Sequence, residues 1–177
     1  LIARLLGDKG IREYIAAASR LKERYADVQF HLVGPLDPNP DSIPESEAAS
    51  WAGDKNVIWH GTLADVRPAI SDCHVFVLPS YREGTPRTVL EAMSMGRPIV
   101  TTDAPGCRET VIDGENGFLV PVKAVDELVY AMERFIKQPQ LIESMGYRSR
   151  QLVLEKYDVD DVNEQMLEAM RIACVEL

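Results

Sequence analysis

The chain has 177 residues, of which 46% are hydrophobic and 27% charged, which is typical of a globular domain with a buried core. Its net charge of −9 disfavours non-specific binding to nucleic acid, which requires a basic face, although one or two local cations could still hold a small phosphorylated ligand. No apolar run approaches the roughly 20 residues of a membrane-spanning helix. Because the chain begins with Leu1 and has no signal peptide, we expect it to be a piece of a longer protein.

Short apolar runs recur along the chain and predict buried strands. The first, residues 1–5, is interpreted as the end of a strand whose beginning is missing. Further strands are predicted over residues 28–34, 56–61, 74–80, 97–103 and 117–120. Runs rich in Val, Ile and Leu that alternate with helices are typical of a parallel sheet. The sequence therefore predicts a Rossmann-like α/β domain, with about six strands and helices on both faces of the sheet.

Helical periodicity separates these runs. Apolar residues recur every three or four positions over 9–26, and further helices are predicted over residues 64–71, 86–95, 124–137, 140–156 and 159–175. The last three form a helical C-terminal extension of a single domain that covers residues 1–177. Residues 34–46 are rich in Pro and Asp and are predicted to form a surface loop. The acids of residues 157–163 are interpreted as caps of the last helix.

The three cysteines show no CxxC spacing, so we expect a reducing cytoplasmic environment without disulfides or a zinc site. In open parallel sheets, ligands bind beyond the carboxyl ends of the strands. Polar and glycine residues gather after the predicted strands, at residues 4–9, 34–35, 61–63, 80–85 and 103–106. These five segments are the candidate ligand site.

The stretch YREGTPRTVLEAM, residues 81–93, places two acids around the start of a predicted helix. Gly84 allows a tight turn, while Thr85 is predicted to be the N-cap and Pro86 the first helical residue. Free N–H groups and the helix dipole at this position favour a phosphate or sugar oxygen. Glu83 lies just outside this helix entrance.

Glu91 lies inside the same helix, among apolar residues. If buried without partners, its carboxylate would cost several kcal/mol or take up a proton. Vicinal hydroxyl groups of a ligand, such as those of ribose, would supply the missing partners. The alternative is that Glu91 points to the surface or bonds a neighbouring backbone group.

The same stretch, with its two glutamates eight positions apart, resembles the signature of retaining GT-B glycosyltransferases of family 4. The likeness extends through ARLLGDKG, VQFHLVG, NVIWHGTL and MGRPIVTTDAPGCRETVIDGENGFLV, which follow the order usual in that family. The resemblance implies a C-terminal domain that binds a nucleotide-sugar donor, without a metal or other cofactor. The acceptor would be bound by an N-terminal domain that is absent from this chain.

The resemblance also implies roles for individual residues. Arg4 and Lys9 would neutralise the diphosphate, and Glu83 would contact the donor sugar; these three are the candidate catalytic residues. Glu91 would bind the ribose. The remaining candidate donor-binding residues are Gly84, Thr85, Pro86 and Thr88 near the sugar and phosphates, and Gly61, Thr62 and Leu63 near the base. Arg87 either adds a cation near the diphosphate or is solvated, and His60 either borders the base or is a satisfied strand-end histidine.

The pair of segments EGTPRTVLEAM and TTDAPGCRET is similar to a subgroup that builds bacterial surface polysaccharides on lipid carriers. This similarity implies a UDP-linked donor, a glycan or lipid-linked acceptor, and a full-length protein at the inner face of the membrane. The apolar stripe of residues 159–175 is a candidate dimer contact. Two alternatives stay open: a non-catalytic nucleotide-binding scaffold, and a sugar-nucleotide epimerase of the same architecture.

Overall fold

Two parallel sheets form the centre of the domain. The computed structural model describes residues 1–53 and 56–170. Its strands are β1 (His31–Leu32), β2 (Ile58–Trp59), β3 (Phe76–Leu78), β4 (Ile99–Thr102) and β5 (Gly117–Val120). One sheet pairs β1 with β2, and the other has the order β3-β4-β5. The predicted α/β class with parallel pairing is confirmed.

The prediction of about six strands in one sheet differs from the structure. The first predicted strand is reduced to bridges beside β1, in which Ile2 pairs with Val33 and Leu5 with Leu36. Each of the other observed strands covers the same residues as its predicted range, or fewer. Pro79 follows β3 directly, and a proline has no N–H to continue a ladder. The described part of the chain therefore has five strands in two sheets.

Seven α-helices surround the strands in the described residues. They are α1 (Ile11–Lys22), α2 (Glu45–Gly53), α3 (Arg67–Asp72), α4 (Arg87–Ser94), α5 (Val125–Lys137), α6 (Gln140–Lys156) and α7 (Val159–Ala169). Helix α1 packs against α5, and α4 packs against α6. Asp158 caps α7 by accepting a hydrogen bond from the Asp160 N–H at 2.9 Å, as predicted. The predicted end of this helix, at 171–175, lies outside the described residues.

The segment predicted as a surface loop, residues 34–46, is tied to the start of the chain. The Leu5 N–H donates to the Pro35 carbonyl at 2.9 Å, and the Ile43 N–H donates to the Leu5 carbonyl at 2.8 Å. Ile43 is 1% exposed. Residues 35–43, called here the 35–43 loop, therefore contact both sides of Leu5. Helix α2 then begins at Glu45, where the sequence pattern predicted no helix.

Buried hydroxyl groups fix the carboxyl end of β3. Thr101 and Thr102, on β4, are both 0% exposed. The Thr101 hydroxyl donates to the Leu78 carbonyl at 2.7 Å, and the Thr102 hydroxyl donates to the Ser80 carbonyl. These bonds hold the point at which β3 passes into residues 80–85.

In the described ranges, no helix is long and apolar enough to cross a lipid bilayer.

Replacing Thr101 with Val tests this anchoring. The change preserves shape but removes the donor to a buried carbonyl, so we expect the free energy of unfolding to fall by about 1–2 kcal/mol. Ser144→Ala is the control, because the exposed Ser144 hydroxyl also donates to a backbone carbonyl, that of Gln140, at 3.1 Å. It should change stability by less than about 0.5 kcal/mol. Equal losses in urea denaturation would contradict the anchoring role.

Candidate functional site

Three segments that were predicted to follow strands meet through backbone hydrogen bonds at one edge of the structure. The Tyr81 N–H donates to the Asp8 carbonyl at 2.7 Å. The hydroxyl of Ser80, which is 0% exposed, lies 3.1 Å from the same carbonyl. The Glu83 N–H donates to the Pro105 carbonyl at 3.0 Å. The predicted candidate segments 4–9, 80–85 and 103–106 are thus brought together.

The contact between segments 4–9 and 80–85 places the ammonium group of Lys9 against the carboxylate of Glu83. Lys9 Nζ lies 2.7 Å from Glu83 Oε1, and the two side chains are 16% and 15% exposed. A hydrogen bond between charged groups is stronger than a neutral one, and partial burial reduces its screening by solvent. Lys9 and Glu83, which are 74 positions apart in sequence, therefore form the centre of the candidate site.

Gly106 makes this approach of the segments sterically feasible. Its φ is 82°, and a methyl group on its Cα would lie 2.1 Å from the Glu83 carbonyl oxygen and 2.2 Å from that of Gly84. A side chain at this position would push residues 83 and 84 away from residues 105 and 106. The fixed position of Glu83 therefore depends on a glycine at 106.

Gly106→Ala should destabilise the protein more than Gly114→Ala. Gly114 has a similar φ of 80°, but nothing lies within 4 Å of the position that a methyl group would take. Gly114→Ala should cost about 1–2 kcal/mol for left-handed backbone alone, and Gly106→Ala about 1–3 kcal/mol more for the clash. Denaturant unfolding of both variants measures the difference. Equal losses would show that the contact with Glu83 is not tight.

Helix α4 begins one residue later than predicted. Pro86 is the N-cap, with extended backbone, and no side chain forms a cap hydrogen bond. Thr85 is therefore not the N-cap and Pro86 is not the first helical residue. The N–H groups of Val89 and Leu90 donate to the Pro86 carbonyl at 3.0 and 3.2 Å. The amides of Arg87 and Thr88 precede this pattern and are the donors that a helix start leaves for a ligand.

Glu91 is exposed on α4, while Val89, Ala92 and Met93 on the same helix are 0% exposed. The acid thus occupies the outer face of the helix, and the expected cost of a buried carboxylate does not arise. Its contact with ribose stays a prediction. The Thr88 hydroxyl donates to the Ile2 carbonyl at 3.3 Å, which occupies the proton that a phosphate contact would use.

The other predicted residues lie in different surroundings. Arg4 is paired with Asp37, at 2.7 Å between Nη1 and Oδ2. The Gly61 carbonyl accepts a hydrogen bond from the Gly34 N–H at 2.8 Å, so its oxygen is already bound within the protein. Thr62 is exposed, and Leu63 packs partly against the core. The predicted contacts of residues 61–63 with a base stay predictions.

Tyr81, which lies in the predicted segment 80–85, is joined at the site by Glu13, a residue that sequence reasoning did not select. The Tyr81 hydroxyl donates to Glu13 Oε1 at 2.6 Å, and this bond ties residues 80–83 to α1. Burial and the contact with Glu13 raise the pKa of Tyr81, so the hydroxyl keeps its proton as the donor. The sequence signal for Tyr81 was its position in the segment after the predicted strand 74–80, and Glu13 had no such signal.

His60 contacts a second histidine. His31 Nδ1 lies within hydrogen-bond distance of His60 Nε2, at 2.9 Å, with the donor set by the tautomers of the two rings, and the rings are stacked. Burial, and then the neighbouring His60 imidazole, lower the pKa of His31. A satisfied structural histidine explains His60 without a ligand.

The lowered pKa of His31 predicts a loss of stability in acid. Below pH about 6.5 the unfolded chain binds the proton first, so the free energy of unfolding falls until the pH reaches the folded pKa of His31. Unfolding curves measured from pH 7.5 to 5 should show a smaller loss for His31→Gln than for the parent protein. His74→Gln, at an exposed histidine, should retain the parent's loss. An unchanged slope in His31→Gln would contradict the assignment.

A cavity of about 520 Å³ lies at the other edge of the strands. Leu1, Phe30, Val75 and Phe135 are among the residues that line it. Phe30 and Val75 each directly precede a strand, whereas the residues of the candidate site follow strands. The cavity is therefore separate from the Lys9–Glu83 site.

Comparison with known proteins identifies the class. A family model described as glycosyl transferases group 1 matches residues 1–138. The chain belongs to this family of glycosyltransferases. One curated relative, an N,N'-diacetylbacillosaminyl-diphospho-undecaprenol alpha-1,3-N-acetylgalactosaminyltransferase from Campylobacter jejuni, is 31% identical over 167 residues. The match covers 94% of this chain and 42% of the relative, so the chain spans less than half of that enzyme.

Solved structures show the same fold. The Anabaena protein Alr3699/HepE in complex with UDP superposes with a TM-score of 0.84 at 26% identity, over 96% of this chain and 47% of that one. The C-terminal domain of a glycosyl transferase group 1 family protein from Francisella tularensis gives a TM-score of 0.78 at 26% identity, over 89% of this chain and 85% of that domain. The resemblance to glycosyltransferases is thereby confirmed at the level of the family and fold.

Proposed function

We propose that this chain is the donor-binding domain of a retaining GT-B glycosyltransferase of family 4. It binds a nucleotide-diphosphate sugar, with UDP as the nucleotide, and a second domain outside this chain binds a glycan or lipid-linked acceptor. The observation that carries the proposal is the 2.7 Å contact of Lys9 with Glu83 beside the start of α4. The UDP complex of the Anabaena neighbour and the match to a separate C-terminal domain from Francisella support it.

The Lys9–Glu83 pair provides two groups that bind a sugar diphosphate: a cation for the phosphates and a hydrogen-bond acceptor for the sugar hydroxyls. Departure of the nucleotide leaves negative charge on the diphosphate, and a fixed ammonium group stabilises this charge as it develops. The free amides of Arg87 and Thr88 and the dipole of α4 act in the same direction. The Glu83 carboxylate accepts hydrogen bonds from sugar hydroxyls. Lys9 holds Glu83 in place for this role and binds the phosphates with its remaining N–H groups.

The reaction transfers the sugar from the nucleotide diphosphate to an acceptor hydroxyl with retained anomeric configuration. In this domain Lys9 and Arg4 stabilise the leaving group, and Glu91 holds the ribose through its exposed carboxylate. Because the acceptor is bound elsewhere, the 177-residue chain alone should bind UDP weakly and transfer no sugar.

Titration calorimetry with UDP tests the site. Lys9→Ala should weaken UDP binding by about 10- to 100-fold, the value of a lost hydrogen bond to a charged group. Glu91→Ala should also weaken it. Lys137→Ala is the matched control, because it also removes a lysine from an ion pair, that of Lys137 with Glu133 at 2.9 Å on α5. This variant should bind UDP as the parent does. If all variants bind equally, a scaffold without this site is favoured.

A second comparison separates the sugar contact from the phosphate contact. Glu83→Gln should weaken binding of UDP-glucose more than binding of UDP, because only the former offers hexose hydroxyls to residue 83. An equal effect on both ligands would assign Glu83 to the support of Lys9 alone.

A further inference from the structure

The 35–43 loop supplies the partner of Arg4. Arg4 Nη1 lies 2.7 Å from Asp37 Oδ2. The Arg4 side chain is 63% exposed, whereas that of Asp37 is 9% exposed. A nearly buried carboxylate thus holds one nitrogen of an exposed guanidinium group.

Asp37 is itself fixed by the loop. Its Oδ1 accepts a hydrogen bond from the Asn39 N–H at 2.9 Å, so its two oxygens have separate partners. On either side of Arg4 and Asp37, the Leu5 N–H donates to the Pro35 carbonyl at 2.9 Å, and the Gly7 N–H donates to the Asp41 carbonyl at 3.0 Å. The backbone therefore sets the positions of both members of the ion pair.

We propose that Asp37 is a positioning residue for the nucleotide diphosphate and that it acts through Arg4. This inference rests on the proposed function, in which Arg4 binds the diphosphate. A guanidinium group has five N–H donors in a planar fork. Among the described residues, Arg4 forms no side-chain hydrogen bond other than that with Asp37. The remaining donors stay available to phosphate oxygens, while the bond to Asp37 limits the conformations of the long side chain before the ligand arrives.

An opposite role for Asp37 is competition, in which its charge occupies Arg4 and repels the diphosphate. The difference in burial argues against competition. Asp37 is largely covered and Arg4 is exposed, so an incoming anion meets the guanidinium group rather than the carboxylate. The two roles predict changes of opposite sign when the charge of Asp37 is removed.

UDP titrations of the 177-residue chain test the proposal through a double-mutant cycle. Asp37→Asn keeps an oxygen for the Asn39 N–H but loses the charge that holds Arg4, and it should weaken UDP binding on the order of 3- to 10-fold. Added to Arg4→Ala, it should have no further effect. Asp37→Glu, which retains the charge, should bind UDP more tightly than Asp37→Asn. Asp65→Asn is the control, because it removes the charge from a different arginine–aspartate ion pair, that of Asp65 with Arg67 at 2.8 Å. This variant should leave UDP binding unchanged.

Each outcome decides between the proposals. If the parent chain does not bind UDP, or Arg4→Ala binds it equally well, the assigned role of Arg4 in the proposed function fails and the inference fails with it. If Arg4→Ala weakens binding but Asp37→Asn does not, or strengthens it, only the inference is overturned. The same holds if Asp37→Asn weakens binding equally with and without Arg4, since Asp37 would then support only the loop. Thermal melting of each variant excludes loss of folding as the cause.

Discussion

The candidate site depends on close backbone contact between segments that are distant in sequence. The Asp8 carbonyl accepts from the Tyr81 N–H, and the Pro105 carbonyl accepts from the Glu83 N–H. Gly106 leaves the space for the second contact, because any side chain there would meet the carbonyls of residues 83 and 84. Side-chain geometry at the site follows from these contacts: Lys9 reaches Glu83 only because residues 7–9 and 80–83 are held together.

The second organising feature is the pairing of cations with carboxylates in an acidic protein. Lys9 pairs with Glu83, Arg4 with Asp37, and Arg12 with Glu47 at 2.7 Å. The net charge of −9 on this chain does not favour attraction of anions at long range. Under the proposed function, an anionic ligand would therefore be recognised through a few fixed positive groups at short distance, and the carboxylates that fix them would be part of that recognition.

Much of this arrangement was predictable from the sequence, and the failures have physical causes. The rule that ligands bind at the carboxyl ends of parallel strands selected residues 4–9 and 80–85. The resemblance to GT-B glycosyltransferases selected Lys9 and Glu83 within them, and the structure brings these two residues into contact. The start of α4 was misplaced by one residue because Pro86 takes extended backbone and serves as the cap. For Glu91 the sequence left burial and exposure open, since a run of apolar residues does not show which face of a short helix points outward; the structure places it on the exposed face.

The role of Asp37 could not be predicted, because its partner is 33 positions away and the segment around it is rich in Pro and Asp. Such composition is typical of surface loops, and it shows nothing about hydrogen bonds to another segment. Helix α2 was missed for a related reason: Ala48 is fully buried, but most residues of the helix are polar or small.

The 35–43 loop has a consequence for the design of variants and fusion proteins. Its sequence resembles the connections that usually accept inserted peptides or protease sites. Here the loop contacts Leu5 from both sides, so a longer loop would separate the Leu5–Pro35 hydrogen bond from the Leu5–Ile43 bond. At Gly114, by contrast, a methyl group would meet no atom within 4 Å, so a label carried on a single side chain finds more space there than within the 35–43 loop.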